Sequence, residues 1–209
     1  MDEVKPRRGW SQRGDTARAE TADATRQRLI AAARSLFVEE GYHAVGVREL
    51  TARAGVTRGA LTHHFGAKEG LFLAVFDQIE HELMEASARQ GDDTENLDTW
   101  ARFRTGIQRY LDAALRPDVQ RITLIDGPAV LGWSRWRKLE EGYSLGGLTT
   151  VLQAAMDQKV IRVRPIEPLA HLILGSVMEA AMLIANSDKP ETRRTEVGEA
   201  LDDLLKGLE

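Results

Sequence analysis

The chain contains no cysteine, and this absence excludes several classes of protein. Disulfide frameworks, thiolate metal sites and cysteine nucleophiles all depend on that residue. No apolar run reaches the ~20 residues that cross a bilayer, so we expect no membrane span. The start, MDEVKPRRGWSQRGD, has no hydrophobic stretch after its basic residues, as a secretory signal would. We therefore expect a cytoplasmic protein.

Positive charge is in the minority, because 28 Lys and Arg residues stand against 32 Asp and Glu residues. A net charge of −4 taken alone argues against a nucleic-acid-binding protein. The distribution along the chain is uneven, with a net +3 over residues 1–70 and a net −7 over residues 71–209. Salt screens charges within about 10 Å, so the local balance determines the field near a surface. A basic head on an acidic body is typical of a protein whose head contacts phosphate.

Strand-like alternation is confined to residues 160–166, which is too short to build a sheet. Elsewhere the apolar residues recur at helical spacing, so the predicted fold class is all-α. Residues 1–22 show no periodicity and are predicted to be a flexible basic tail. The first predicted helix runs from about residue 25 to Gly41. The later ones cover residues 47–54, 58–64, 68–90, 97–115, 118–126, 144–158, 168–186 and 191–205, with a broken stretch at 127–132.

The most informative segment is VRELTARAGVTRGALTHHFGAK, residues 47–68. Ala54 is small enough to let two helices approach closely, and Gly55 permits the positive φ of a tight turn. Val56 is expected to fill the angle between the helices, while Leu50 and Leu61 provide their apolar faces. Two short helices joined in this way form a helix-turn-helix, whose second helix enters the major groove of DNA.

The exposed residue types of that second helix suit contact with a duplex. The guanidinium of Arg58 can donate two hydrogen bonds to guanine. The next helix is expected to begin at Lys68, and the lysine charge and the free N–H groups of its first turn would together bind a phosphate. A metal site at His63 and His64 is disfavoured, because adjacent helical positions face different sides and no carboxylate follows at i+4. The predicted DNA-binding residues are Arg48, Thr57, Arg58, Gly59, Ala60, Thr62, His63, His64 and Lys68.

Residues 29–76 resemble the DNA-binding domain of the TetR family of transcriptional regulators. The resemblance lies in LIAAARSLFVEEGY, in VRELTARAGVTRGALTHHF and in the GAKEGLF that opens the next helix. It implies a three-helix DNA-binding head, a helix linking it to a ligand domain, and dimerisation through the last two helices. Thr62 stands where the family usually has a phosphate-contacting tyrosine, and Gly46 where it commonly has a Thr or Ser cap. Each departure could weaken one backbone contact by about 1 kcal/mol.

Aromatic and sulfur-containing side chains recur at helical spacing through residues 97–186. Ordinary core packing explains such stripes, but the family resemblance implies an effector pocket among the central helices, with Arg104, Tyr110 and Asp126 as its polar groups. The predicted pocket residues are Trp100, Phe103, Arg104, Ile107, Tyr110, Leu111, Asp126, Trp133, Trp136, Leu148, Leu152, Met156 and Met178.

The last two predicted helices combine leucine stripes with small residues, notably Gly175, Ser176, Ala180 and Ala181. Two such pairs would form a four-helix bundle across a two-fold axis, although internal packing alone would also explain the pattern. We therefore expect a homodimer through these helices, with no membrane partner.

The predicted organisation is a tail at 1–22, a DNA-binding head at 23–70, and a helical ligand-binding and dimerisation domain at 71–209. The predicted function is a repressor that leaves a palindromic or pseudo-palindromic double-stranded DNA operator when a largely apolar small-molecule effector binds. The alternatives are an effector-independent DNA-binding regulator and a helical interaction module that binds no nucleic acid. No serine elbow, phosphate loop or paired-carboxylate signature supports an enzyme, and we expect no metal and no cofactor.

Overall fold

The computed structural model describes residues 10–89 and 97–209, with side chains from residue 21 onward. These residues form helices and contain no strand, so the all-α prediction is confirmed. The chain divides into two compact units, Met1–Val75 and Phe76–Glu209, so the division falls five residues after the predicted boundary. The helices are α1 (Trp10–Glu40), α2 (Val47–Ala54), α3 (Arg58–Phe65), α4 (Lys68–Ala88), α5 (Thr99–Ala113), a π-helical segment (Val119–Asp126), α6 (Gly127–Leu131), α7 (Trp133–Asp157), α8 (Ile166–Ala185) and α9 (Pro190–Lys206).

The N-terminal unit has one apolar core, to which α1, α2, α3 and the start of α4 all contribute. The aromatic rings of Phe37, Tyr42 and Phe72 lie together in it, with centroids 5.1–5.7 Å apart. Offset and edge-on ring pairs of this kind stabilise a core beyond the area that they bury. Further buried side chains of this core include those of Leu29, Ile30, Ala33, Leu36, Val45, Leu50, Leu61, Leu71 and Val75.

Helix α1 begins at Trp10, about fifteen residues before the predicted start. The prediction of a flexible tail through residue 22 is therefore wrong for residues 10–22, while residues 1–9 lie outside the described part. That stretch lacks an apolar stripe, which was the signal used, but its residues 17–22, ARAETA, include three alanines, one arginine and one glutamate. These residues favour helix without any buried face.

The C-terminal unit is held together by a buried core and by ion pairs between α5 and α9. Arg104 donates to both carboxylate oxygens of Asp202, at 2.7 and 3.0 Å, and also contacts Glu209 at 3.0 Å. Arg194 forms a second link, with its Nε 2.6 Å from an oxygen of Asp112. Bidentate guanidinium–carboxylate pairs fix geometry as well as contribute energy, so α9 is fastened along α5.

The middle of this unit differs most from the prediction. Helix α7 begins at Trp133, eleven residues before its predicted start at 144, and the 118–126 stripe is a π-helical segment. Gly142, Gly146 and Gly147 weaken the helical signal in this region, and tertiary contacts compensate for them. The indole N–H of the buried Trp136 donates to the carbonyl of Thr123 at 3.0 Å, which fastens the first turn of α7 to the π-helical segment.

Helix α8 is, within the described residues, long and apolar enough to cross a membrane by length and composition alone. The statement that no apolar run approaches that length is therefore wrong. Helix α8 packs against α7 and α9, and 44% of its most apolar window is buried inside the protein. A core helix passes the same test, so length and composition alone are weak evidence for a membrane span.

Candidate DNA interface and effector cavity

The turn between α2 and α3 has the geometry that the sequence predicts. Gly55 has φ 63° and ψ 39°, the left-handed conformation, and its N–H points to the carbonyls of Thr51 and Ala52. The N–H of Val56 donates to the same Thr51 carbonyl at 3.0 Å. Thr57 then begins α3, because its hydroxyl oxygen accepts from the N–H of Ala60 at 3.2 Å. These bonds satisfy the free backbone groups where one helix ends and the next begins.

Helix α3 buries Leu61 and exposes the side that was predicted to contact DNA. Arg58, Thr62 and His63 are exposed, as are Thr57 and Gly59. Positions 58, 59, 62 and 63 share one side of a helix because they are separated by one, three and four residues. The remaining predicted residues of this group are Ala60 and His64, which are half-buried, and Arg48, which is exposed on α2.

Lys68 does not have the environment predicted for it. Its ammonium donates to the carbonyl oxygens of Tyr42 and Val45, both at 2.6 Å, and lies 4.1 Å from the centre of the Tyr42 ring. These contacts join the start of α4 to the loop between α1 and α2. Backbone oxygens and an aromatic face already surround this charge, which favours a structural role for Lys68 over the predicted phosphate contact.

A second link inside the N-terminal unit joins α1 to α2. The guanidinium of Arg53 contacts an oxygen of Glu39 at 3.2 Å and donates to Ser35 at 3.2 Å. The hydrogen bond from Arg53 holds the pKa of Glu39 below its ordinary value, with the Ser35 hydroxyl adding to the effect. Together with Lys68, this pair fixes the base from which α3 projects.

The C-terminal unit contains a cavity of about 570 Å³ between the end of α4 and helices α5, α7 and α8. Its volume lies within the range of small-molecule sites, and most of its wall is apolar. Five of the thirteen predicted pocket residues line it: Phe103, Ile107, Tyr110, Leu148 and Met178. The other lining residues are Met84, Ser87, Ala88, Arg89, Thr99, Arg102, Gly106, Arg109, Glu140, Tyr143, Ser144, Gly147, Val151, Ile173, Leu174 and Val177.

The other eight predicted pocket residues lie elsewhere. Arg104 pairs with α9, and the Asp126 carboxylate pairs with Arg121 at 3.3 Å. Trp133 is 62% exposed. Helical spacing identifies a buried side chain but does not distinguish a core position from a cavity wall. The remaining five are core residues away from the cavity: Trp100, Leu111, Trp136, Leu152 and Met156.

A buried charged group in the cavity wall that the sequence analysis missed is Glu140. Its side chain is 4% exposed, and its Oε1 has no hydrogen-bond partner among the described residues. Burial raises the pKa of this carboxyl from 4.5 to about 7, against the opposing charge of Arg137. Glu140 follows Trp136 by four residues, so a start of α7 at 133 would have placed both on the buried face.

The charge of Glu140 acts on two further buried titratable groups, Glu80 and Tyr110. Glu80 on α4 is also buried, and burial, followed by the charge of Glu140, holds its pKa well above the ordinary value. Burial likewise raises the pKa of the Tyr110 phenol, with Glu140 and Glu80 adding to the effect. The Tyr143 hydroxyl donates to Asp77 at 2.5 Å. The carboxyl of Glu140 and the phenols of Tyr110 and Tyr143 therefore give one part of the cavity a polar wall.

An exposed, capped α3 behind a left-handed glycine turn defines a helix-turn-helix DNA-binding protein. The family described as "Bacterial regulatory proteins, tetR family" matches residues 29–75, and "Tetracyclin repressor-like, C-terminal domain" matches residues 100–208. The chain belongs to the TetR family and is a DNA-binding transcriptional regulator. The resemblance found in the sequence is thereby confirmed.

Three similar proteins illustrate the match. A TetR-family transcriptional regulator from Pectobacterium atrosepticum has 38% identity and a TM-score of 0.78, covering 90% of this chain and 96% of that one. The transcriptional repressor AcnR of Corynebacterium efficiens is 35% identical over 74% of this chain and 78% of its own length. The Tn10 TetC protein of Escherichia coli is 28% identical over 80% and 83% respectively. All three match both units of the chain, and none is named as an enzyme.

Proposed function

We propose that the chain is a homodimeric repressor that leaves a palindromic or pseudo-palindromic operator when a largely apolar molecule occupies the cavity of the C-terminal unit. AcnR of Corynebacterium efficiens is named a repressor, which supports this sign of regulation. The proposal includes no chemical step: binding at one site changes the affinity at another, and such couplings are typically worth about 1–3 kcal/mol.

The dimer would form through an exposed face on α8 and α9, defined here as the dimer face: Leu172, Ser176, Glu179 and Leu183 of α8 with Leu204 of α9. Its three leucines are 70%, 44% and 67% exposed. Positions 172, 176, 179 and 183 form one stripe along α8, and Ser176 lets a partner helix approach closely. A cluster of exposed apolar side chains is typical of a protein–protein interface. Two α8–α9 pairs would form a four-helix bundle.

The DNA contacts would come from the exposed side of α3 in each protomer. Arg58, at its first turn, would reach base edges, while Arg48 and Thr62 would contact phosphate. A two-fold dimer presents two such helices, which is why we propose an operator with inverted half-sites. This exposed side also favours a DNA-binding regulator over a helical interaction module that binds no nucleic acid.

The cavity is the single observation that favours an effector over an effector-independent regulator, for which a fully packed C-terminal core would be expected. Its wall includes Met84, Ser87 and Ala88, at the end of α4. The same helix begins at Lys68, whose ammonium holds the loop before α2. A displacement of the end of α4 by a ligand would be carried along this continuous helix to that anchor.

Two adjacent glycines of α7 provide a matched test of this coupling. A Cβ added to Gly147, which lines the cavity, or to Gly146, which does not, meets no atom within 4 Å. Gly147→Trp would place an indole in the cavity as an effector would and should weaken operator binding by roughly 5–150-fold. Gly146→Trp should bind as the unaltered protein does. Equal operator affinity of the two variants in fluorescence anisotropy would contradict a cavity coupled to DNA.

A further inference from the structure

Among the residues that the structure describes, the cavity wall contains one buried polar atom without a partner, the Oε1 of Glu140. Leaving a buried acceptor unsatisfied costs free energy, more so when the group is a carboxylate. A ligand that brings a donor to this oxygen would recover that cost. The position of Glu140 in the wall of an otherwise mainly apolar cavity therefore points to the polar part of the ligand.

The nearest cation does not remove this requirement. Arg137, one turn before Glu140 on α7, donates through Nε to Glu141 at 3.1 Å and through Nη1 to the sulfur of Met178 at 2.7 Å. Glu80 on α4 is a second buried acid, and the charge of Glu140 helps to raise its pKa. Burial penalises the ionised form of each acid, and a positive charge bound beside Glu140 would stabilise its carboxylate more than a neutral donor would.

Aromatic and sulfur-containing groups complete the surroundings of Glu140. Tyr110, Tyr143 and Met178 line the same cavity, and the faces of phenol rings attract organic cations. The arginines of the wall have a different setting: Arg89 and Arg102 are exposed, and Arg109 donates to the carbonyl of Arg89. Water and salt screen exposed charges strongly, so the buried acid has the greater influence on the choice of ligand.

We propose that the effector is an organic amine with an apolar body, whose ammonium group pairs with Glu140 inside the cavity. This inference rests on the proposed function of the cavity as the effector site and adds the chemical class of the ligand. The apolar body would lie against Phe103, Ile107 and Leu148. The ammonium would donate to Oε1 of Glu140 and lie beside the tyrosine rings.

Three ligands that differ only in their head group test the proposal by calorimetry on the full-length protein: n-decylamine, n-decanol and n-decanoate. We expect the amine to bind at least ten-fold more tightly than the alcohol, and the alkanoate to bind more weakly than both. Glu140→Gln should remove the preference for the amine and leave alcohol binding unchanged. The matched control Arg102→Gln should keep the preference for the amine.

Several results would overturn the proposal. If the alkanoate bound most tightly, the arginines of the wall would be the groups that recognise the ligand. If Glu140→Gln still preferred the amine, Glu140 would not be part of the binding site. Failure of all three ligands to bind the unaltered protein would also overturn the proposal, and this result does not depend on whether the variants fold. Operator release measured in parallel distinguishes the proposed function from the ligand class. An amine that binds through Glu140 without releasing DNA contradicts the effector role but not the cation site.

Discussion

Single side chains in this protein have environments that decide between structural and binding roles. Lys68 and Arg58 are both cations near the helix-turn-helix, yet the ammonium of Lys68 is held by two carbonyl oxygens, whereas Arg58 is exposed. Glu140 and Glu85 are both acids of the C-terminal unit, yet the first is buried in a cavity wall and the second is exposed. The following two predictions use these contrasts.

Lys68→Met should destabilise the protein without changing the salt dependence of DNA binding. The variant keeps most of the apolar stem but leaves the carbonyls of Tyr42 and Val45 without their donor, at a cost of roughly 1–3 kcal/mol. Urea unfolding gives the stability, and operator affinity measured at several salt concentrations gives the slope. A slope reduced by about one with unaltered stability would show instead that Lys68 contacts a phosphate.

Glu140→Gln should stabilise the protein at pH 8 and much less at pH 5. The folded pKa of about 7 exceeds the ordinary value of 4.5, so the folded state binds more protons than the unfolded state between these values. The unfolding free energy attributable to this group therefore falls as pH rises from about 4.5 through 7. The difference between variant and unaltered protein should reach the order of 1–3 kcal/mol above pH 7.

Urea unfolding at both pH values measures this difference, and Glu85→Gln, exposed on α4, is the matched control. An equal effect of Glu140→Gln at pH 5 and pH 8 would show that burial does not raise the pKa of this carboxyl.

At the scale of elements, two glycines of the helix-turn-helix should respond in opposite directions to the same change. Gly55→Ala forces a Cβ into the left-handed conformation, at φ 63°, and should destabilise the protein by about 1–2 kcal/mol. Gly59→Ala, inside α3, should stabilise it by up to about 1 kcal/mol, because alanine favours helix. In both cases an added Cβ has room, so the backbone decides the outcome.

Thermal unfolding and operator binding together measure this pair. The added methyl of Gly59→Ala stands on the exposed side of α3 and should weaken DNA binding while stabilising the fold. Loss of stability in both variants would show that α3 does not form a regular helix at Gly59.

The elements differ in how far the sequence predicts them, and the reasons are physical. The end of helix α2 and the start of α3 are predicted to the residue, because Gly55 and the Thr57 cap are local signals that no distant contact has to complete. Helix α7 is predicted to begin eleven residues too late, because Trp136 gains its stability from the carbonyl of Thr123, a contact absent from local spacing. Helix α1 extends beyond its prediction because alanine, arginine and glutamate at residues 17–20 favour helix by propensity, a signal that an apolar stripe does not report.

The two candidate sites also differ in how far local sequence signals predict them. The exposed side of α3 is predictable because a helix-turn-helix fixes which positions of a short helix face outward. The cavity wall is not, because periodicity places Trp100 and Leu148 on buried faces alike, and only the packing of four elements makes one of them a wall residue. Glu140 is missed because its helix begins earlier than the glycines of α7 suggest.

At the scale of the whole molecule, the proposed dimer depends on the exposed leucines of α8 and α9. The double variant Leu172→Glu, Leu204→Glu would place charges in that interface and should raise the dimer dissociation constant by at least about 100-fold, the scale expected for loss of interface hot spots. Val163→Glu changes an equally exposed apolar residue between α7 and α8, outside the dimer face, and is the matched control.

Sedimentation velocity over a range of protein concentrations measures the association. A double variant that stays dimeric while Val163→Glu dissociates would move the interface to the loop between α7 and α8.

Selection of DNA from a random pool by the full-length protein and by Arg58→Ala is the most direct test of the central claim, that paired α3 helices recognise an operator. The account predicts that the unaltered protein enriches two inverted half-sites, and that Arg58→Ala loses base preference at one position in each half, at a cost of roughly 1–3 kcal/mol. Enrichment of no sequence, enrichment of a single site without symmetry, or an identical preference in Arg58→Ala would contradict it.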